Sequence, residues 1–207
     1  ESVTVCAGRF GKGSCASMYT ANTMASVSEA LGLTIPGMAS PAAEDPEREA
    51  ITRRAAAVLV EALENDRRPS AILTKASFEN AITVAAAVGG STNACLHVPA
   101  LAGEAGIEFG LHDIDRISRR TPQIAEMRPA GRFMMQDLHV EGGVPVVMRE
   151  LLDAGLIDGD ALTVTGQTIA EALEDVDRSP DPKTPVLHTV EEPVKATGGG
   201  TRWRRSA

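Results

Sequence analysis

The chain is poor in aromatic side chains, with one Trp, one Tyr and four Phe among 207 residues. A core must therefore be built from Ala, Val, Leu, Ile and Met, and Ala-rich apolar segments favour closely packed helices. Cysteine is almost as scarce. Cys6, Cys15 and Cys95 are too few, and odd in number, for a disulfide framework. A reducing compartment, the cytoplasm, is the expectation. No apolar run reaches the roughly 18 residues of a membrane span. An initial Met and a signal-like leader are also missing, so the chain is expected to be an internal piece of something longer. Positive charge is in deficit. The net charge of −8 disfavours a nucleic-acid or anionic-membrane partner.

What is present is mostly helical periodicity. Residues 1–14 are Gly-rich and irregular. A helix is expected from about Cys15 to Leu31, with Gly32 ending it at positive φ. Asp45 should cap a second helix that has Pro46 at its first position and runs to about Glu64. Its apolar set is Ile51, Ala55, Val58, Leu59, Ala62 and Leu63. Further helices are expected over Lys75–Val88, from Ser91-Thr92-Asn93 to about Gly103–Gly106, over Val144–Ala154 and over Gln167–Leu173. Residues 107–141 read as short helical turns and loops, and Ala161–Thr165 as a short strand. After Asp175 the prolines and charges indicate an extended or disordered segment.

Several motifs invite chemistry. Gly11-Lys12-Gly13-Ser14 fails as a phosphate loop, because Cys6 stands where the first Gly belongs and Gly13 where Ser or Thr belongs. Cys15 follows a glycine turn at an expected helix start, where unpaired amides and partial positive charge favour a thiolate. Three readings stay open for it: a small buried residue, a nucleophile served by His97, His112, His139 or His188, or one ligand of a metal or cluster. The spacing from Cys6 matches neither a zinc site nor a ferredoxin run. Gly89-Gly90-Ser91-Thr92-Asn93 can be an anion loop that docks a substrate carboxylate, or a helix corner capped by Ser91 or Thr92. Gly142-Gly143 reads as a corner. Cys95 and His97 read as core residues. Asp113, Asp115, Arg116, Arg119 and Arg120 read as a solvated helix face, and Arg202 to Arg205 around Trp203 as a short basic tail.

Taken in order, the motifs carry a resemblance. Residues 13–24 (Gly-Ser-Cys-Ala-Ser-Met-Tyr-Thr-Ala-Asn-Thr-Met), Glu29 to Leu33, Leu73 to Ala81, Gly89 to Asn93 with Leu96-His97, Asp137-Leu138 with Gly142 to Met148, and Leu162 to Gly166 together resemble the dihydroxy-acid and sugar-acid dehydratases. The likeness spans about residues 11–175. Leu151 to Leu156 makes it most similar to the dihydroxy-acid branch, which serves branched-chain amino-acid biosynthesis.

The resemblance implies a helix-rich α/β fold, part of the N-terminal, cluster-bearing domain of a two-domain enzyme. Residues 1–14 would be an approach loop, 15–175 the middle of that domain, and 176–207 a linker and atypical tail. It implies a lyase that removes water from a small 2,3-dihydroxy carboxylate to give a 2-keto acid. The cofactors would be an iron–sulfur cluster (2Fe-2S or 4Fe-4S) and Mg²⁺, and the enzyme a homodimer. Cys15 aligns with the family's last cluster cysteine. The Cys-Asp-Lys motif with earlier cluster and magnesium ligands is missing here, as are the downstream magnesium Glu and serine base. No catalytic residue is therefore assigned within this chain, and it is expected to be inactive alone. The alternatives are a sugar-acid or phosphogluconate dehydratase, and a non-catalytic fragment in which Cys15 is a plain thiol.

Overall fold

The computed structural model describes residues 16–177 and 186–198. They form nine helices: α1 (Thr20–Ala30), α2 (Glu47–Glu64), α3 (Pro69–Ile72), α4 (Lys75–Ala87), α5 (Ala94–Glu104), α6 (Leu111–Arg120), α7 (Met135–Val140), α8 (Gly143–Asp153) and α9 (Ile169–Ala172). Of the expected α/β class, the helical part is plain. Pairing of the β kind is confined, among the described residues, to isolated bridges such as Leu162 with Thr168. The strand expected over Ala161–Thr165 is instead a tight turn. Thr163 N–H donates to Gln167 O, and Val164 N–H crosses to Gly32 O behind α1.

The core is organised around α4. Thr74 and Ser77 cap it reciprocally, each backbone N–H donating to the other's hydroxyl. From Asn80 to Ala87 every residue is buried. The run Thr83-Val84-Ala85-Ala86-Ala87 is slim, so neighbours can approach closely from several sides. Helices α1, α5, α6 and α8 all pack on α4. The scarcity of aromatics is thus consistent with a core of aliphatic and Ala contacts. Phe78 and Phe109 form its one aromatic pair among the described residues, with centroids 5.7 Å apart. The buried face of α8 (Val144, Val147, Met148, Leu151) closes the bundle.

Several expected features differ in detail. Helix α1 begins at Thr20 rather than near Cys15, because the backbone before it is engaged elsewhere: Met18 N–H donates to Arg128 O, and Met135 N–H to Ala16 O, each at 2.8 Å. The turn after α2 contains α3, which starts on Pro69, a residue suited to a first helical position. Of the apolar set expected on α2, Ile51 and Ala62 are buried, whereas Leu59 and Leu63 are 59% and 74% exposed. After Asp175 the expectation is an extended or disordered segment; the described residues 186–198 are irregular and docked on the body. Leu187 pairs with Ala125 and Lys195 with Gln123, and Val186 and Leu187 are buried.

Candidate functional site

Cys15 lies outside the described residues, as do Cys6, the Gly11 to Ser14 loop and the basic tail. The structure describes the residues that follow Cys15, 16–19, and the start of α1. Ser17 and Met18 are buried, and Asn22 Nδ2 donates to Ser17 O at 2.8 Å, tying the lead-in to the first turn of α1. Tyr19, the residue at the cap position of that helix, makes no side-chain capping bond. A helix start carries partial positive charge on its first-turn amides.

The Ser91–Asn93 loop sits against the same end of α1. Ser91 N–H donates to Thr23 Oγ1 at 2.9 Å, and Asn93 Nδ2 donates to Thr20 Oγ1 at 2.5 Å. Two glycines make the approach possible. A Cβ on Gly90 would lie 2.9 Å from both Thr23 Cγ2 and Ala85 O, and one on Gly89, at φ +67°, would press on the Gln123 amide. The helix-corner reading is thus correct in part. Ser91 Oγ accepts from Asn93 N–H, while the residue at the cap position of α5 is Asn93, which makes no capping bond. The Thr92 and Asn93 side chains remain exposed beside α1. The structure therefore joins two sequence motifs that lie some seventy residues apart.

The remaining sequence candidates fall elsewhere. Cys95 is half-buried against the core, and burial pushes its thiol above the usual range, which suits an inert residue. His97 is half-buried rather than a core residue. Asp137 Oδ2 accepts from Met134 N–H at 2.7 Å and so starts α7. Arg116 and Arg120 pair with Glu79, and Arg119 with Asp115, on the exposed face expected of α6.

Two arrangements escaped the sequence reading. His139 Nδ1 lies 3.1 Å from Ser40 Oγ, with Nε2 3.4 Å from Glu47 Oε2, so the loop before α2 is bound to α7. Nothing in the spacing of these residues signals that contact. The other is Glu29, buried on α1, whose two carboxylate oxygens accept from Gly37 N–H (2.8 Å) and Ala39 N–H (3.0 Å). Burial pushes its carboxyl up to about 7, against the pull of those two amides and of Arg54. Because the folded value lies above the unfolded one, the folded state holds this proton more tightly. The group's stabilising contribution is complete below about pH 4.5 and is lost as pH rises through 7, a change on the order of 3 kcal/mol. Urea denaturation across that range should show the slope in the native chain, and Glu29→Gln should flatten it. An unchanged slope in Glu29→Gln would exclude Glu29 as its source.

Among the described residues no three His, Cys, Asp or Glu side chains are grouped to hold a metal ion. These residues do not by themselves fit an iron–sulfur cluster or a magnesium site. Also among them, no helix is long and apolar enough to cross a membrane.

Comparison with known proteins decides the family. The sequence model of the dihydroxy-acid/6-phosphogluconate dehydratase N-terminal family matches residues 4–172. The chain belongs to that family. Among curated dehydratase relatives, it is 54% identical over 194 residues to a dihydroxy-acid dehydratase of Natronomonas pharaonis, covering 91% of this chain and 33% of that protein. A dihydroxy-acid dehydratase of Haloarcula marismortui is 55% identical over 190 residues, with the same coverage. One of Mycobacterium leprae is 50% identical over 196 residues, covering 95% of this chain and 35% of that protein. The chain thus spans about a third of the length of these dehydratases. The helix-rich fold agrees with a position in the dehydratase N-terminal domain.

Proposed function

We propose that this chain is a portion of the N-terminal domain of a two-domain dihydroxy-acid dehydratase, a homodimeric cytoplasmic hydro-lyase of branched-chain amino-acid biosynthesis. The observation that carries the reading is the family match over residues 4–172, a span that contains both Cys15 and the Ser91–Asn93 loop. Residues 1–14 are its approach loop, 15–175 the body of the domain portion, and 176–207 the linker and tail. The reaction takes water from a 2,3-dihydroxy carboxylate and leaves a 2-keto acid. Hydroxide is a poor leaving group and the C2 proton only weakly acidic, so the reaction needs both a Lewis acid and a base.

In the whole enzyme an iron–sulfur cluster and Mg²⁺ supply the Lewis acidity. This chain's own part is positional. Cys15 offers one thiolate from the segment that leads into α1. Thr20 and Thr23 hold the Ser91–Asn93 loop beside it, where the exposed Thr92 and Asn93 side chains can meet a substrate carboxylate. Ser91 has its amide engaged by Thr23 and serves the loop's shape. A sugar-acid or phosphogluconate substrate is the second reading, because the matching family description joins both substrate types.

Assays of the whole enzyme containing this segment separate the two. Turnover of 2,3-dihydroxyisovalerate well above that of aldonates and phosphogluconate is the expected result. A reversed preference would move the chain to the second reading, and no dehydration of any of them would refute both.

A further inference from the structure

Helix α2 has 18 residues, yet it buries only Ile51 and Ala62, and no other helix among the described residues packs along it. It is held at its edges. Arg48 donates to the carbonyls of Met38, Pro41 and Ala42, and Arg54 donates to Pro36 O. Away from that face runs a second apolar stripe: Ala56, Leu59, Val60 and Leu63, spaced i, i+3, i+4, i+7. Leu59, Val60 and Leu63 are 59%, 54% and 74% exposed. A surface helix ordinarily covers such a stripe, and little helical stability comes from propensity alone.

We infer that this stripe is a self-association seam: α2 pairs antiparallel with α2 of a second copy of this chain about a two-fold axis near Leu59 and Val60. The residues suit that symmetry. An isologous antiparallel seam sets Leu59 against Val60 of the second copy, and small Ala56 against large Leu63, so that the two rows interdigitate. The charges agree. Arg53 and Glu64 lie about three helical turns apart on the same flank of the stripe, and both are exposed. The antiparallel two-fold brings Arg53 of each copy near Glu64 of the other. In a parallel two-fold pair the Arg53 and Glu64 flanks of the two copies would lie on opposite sides of the seam, so these pairs form only in the antiparallel arrangement. This inference rests on the α2 geometry and stands independently of the dehydratase reading. It goes beyond the proposed homodimer by naming the surface and its symmetry. One helix pair makes less contact than the ~1,600 Å² of a standard interface, so association should depend on concentration.

Sedimentation of the 207-residue chain from micromolar to submillimolar concentration tests it. A monomer–dimer equilibrium is expected. Leu59→Glu should weaken it at least about tenfold, since it places two charges in the seam. Arg53→Glu should weaken it about fivefold through two symmetric pairs, and Arg53→Glu with Glu64→Arg should recover the original affinity. Circular dichroism checks that each variant keeps its helix content. If Leu59→Glu fails to fold, the exposed charge pair still decides. A chain monomeric throughout the range, larger assemblies without a dimer, a dimer untouched by Leu59→Glu, or a charge-swapped double variant no tighter than Arg53→Glu would each overturn the proposal. The first result would leave the stripe to the rest of the parent enzyme.

Discussion

Cys15→Ser in the whole enzyme that carries this segment is expected to remove its visible cluster absorption and to lower kcat by more than about 100-fold. Loss of an outer partner of a metal ligand already costs about 10–100-fold, so loss of a ligand should cost more. Iron in a sulfide cluster prefers a soft thiolate, and a serine hydroxyl is not ionised at neutral pH. The backbone of Ala16 and Met18 is fixed by Met135 N–H and Arg128 O, so the chain enters α1 along a defined path. Tyr19, at the cap position of α1, makes no side-chain capping bond. Retention of both absorption and turnover in Cys15→Ser would show Cys15 to be a plain thiol. Lost turnover with intact absorption would place it near the substrate rather than on the cluster.

Gly32→Ala should destabilise the chain by at least about 3 kcal/mol, a large share of the 5–15 kcal/mol that holds a typical domain. Gly32 ends α1 at φ +77°, where a Cβ costs on the order of 1–2 kcal/mol. That Cβ would also stand 2.6 Å from Leu162 O and 3.0 Å from Thr163 Cα, both backbone atoms that no rotamer change can move. Relief requires shifting the 162–164 turn. That shift would break the 2.7 Å bond from Val164 N–H to Gly32 O and disturb the one from Arg67 Nη1 to Val164 O. Gly37 provides the matched control. It has φ +83° with nothing within 4 Å of its would-be Cβ, so Gly37→Ala should cost only about 1 kcal/mol. Equal denaturation midpoints for the two variants would mean that the contact with the 162–164 turn carries no weight.

The helices were legible in the sequence where a cap and a stop flank an apolar run. Lys75 to Ala87 is bounded by Thr74 and Gly89, and its limits agree with expectation to one residue. The second helix was legible as a helix but not in its burial. Periodicity shows that one face is apolar, not which neighbour exists to cover it, and α2 carries apolar residues on two faces. The start of α1 was misplaced because its lead-in is fixed by partners more than a hundred residues away, Arg128 and Met135. The same limit hid the Ser40–His139–Glu47 contact and the buried Glu29, both of which depend on tertiary approach. The motif over residues 13–24 and the one at Gly89 to Asn93 were each ambiguous alone. Their juxtaposition through Thr20, Thr23, Ser91 and Asn93 is what the fold adds.

The central claim is that this chain holds one part of a dehydratase site and lacks the rest. The most direct measurement is 2-keto-acid formation from 2,3-dihydroxyisovalerate, run with the purified 207-residue chain after incubation with iron, sulfide and magnesium, and with the whole enzyme beside it. The account predicts turnover by the whole enzyme and none by the chain. Clear turnover by the chain alone would contradict it.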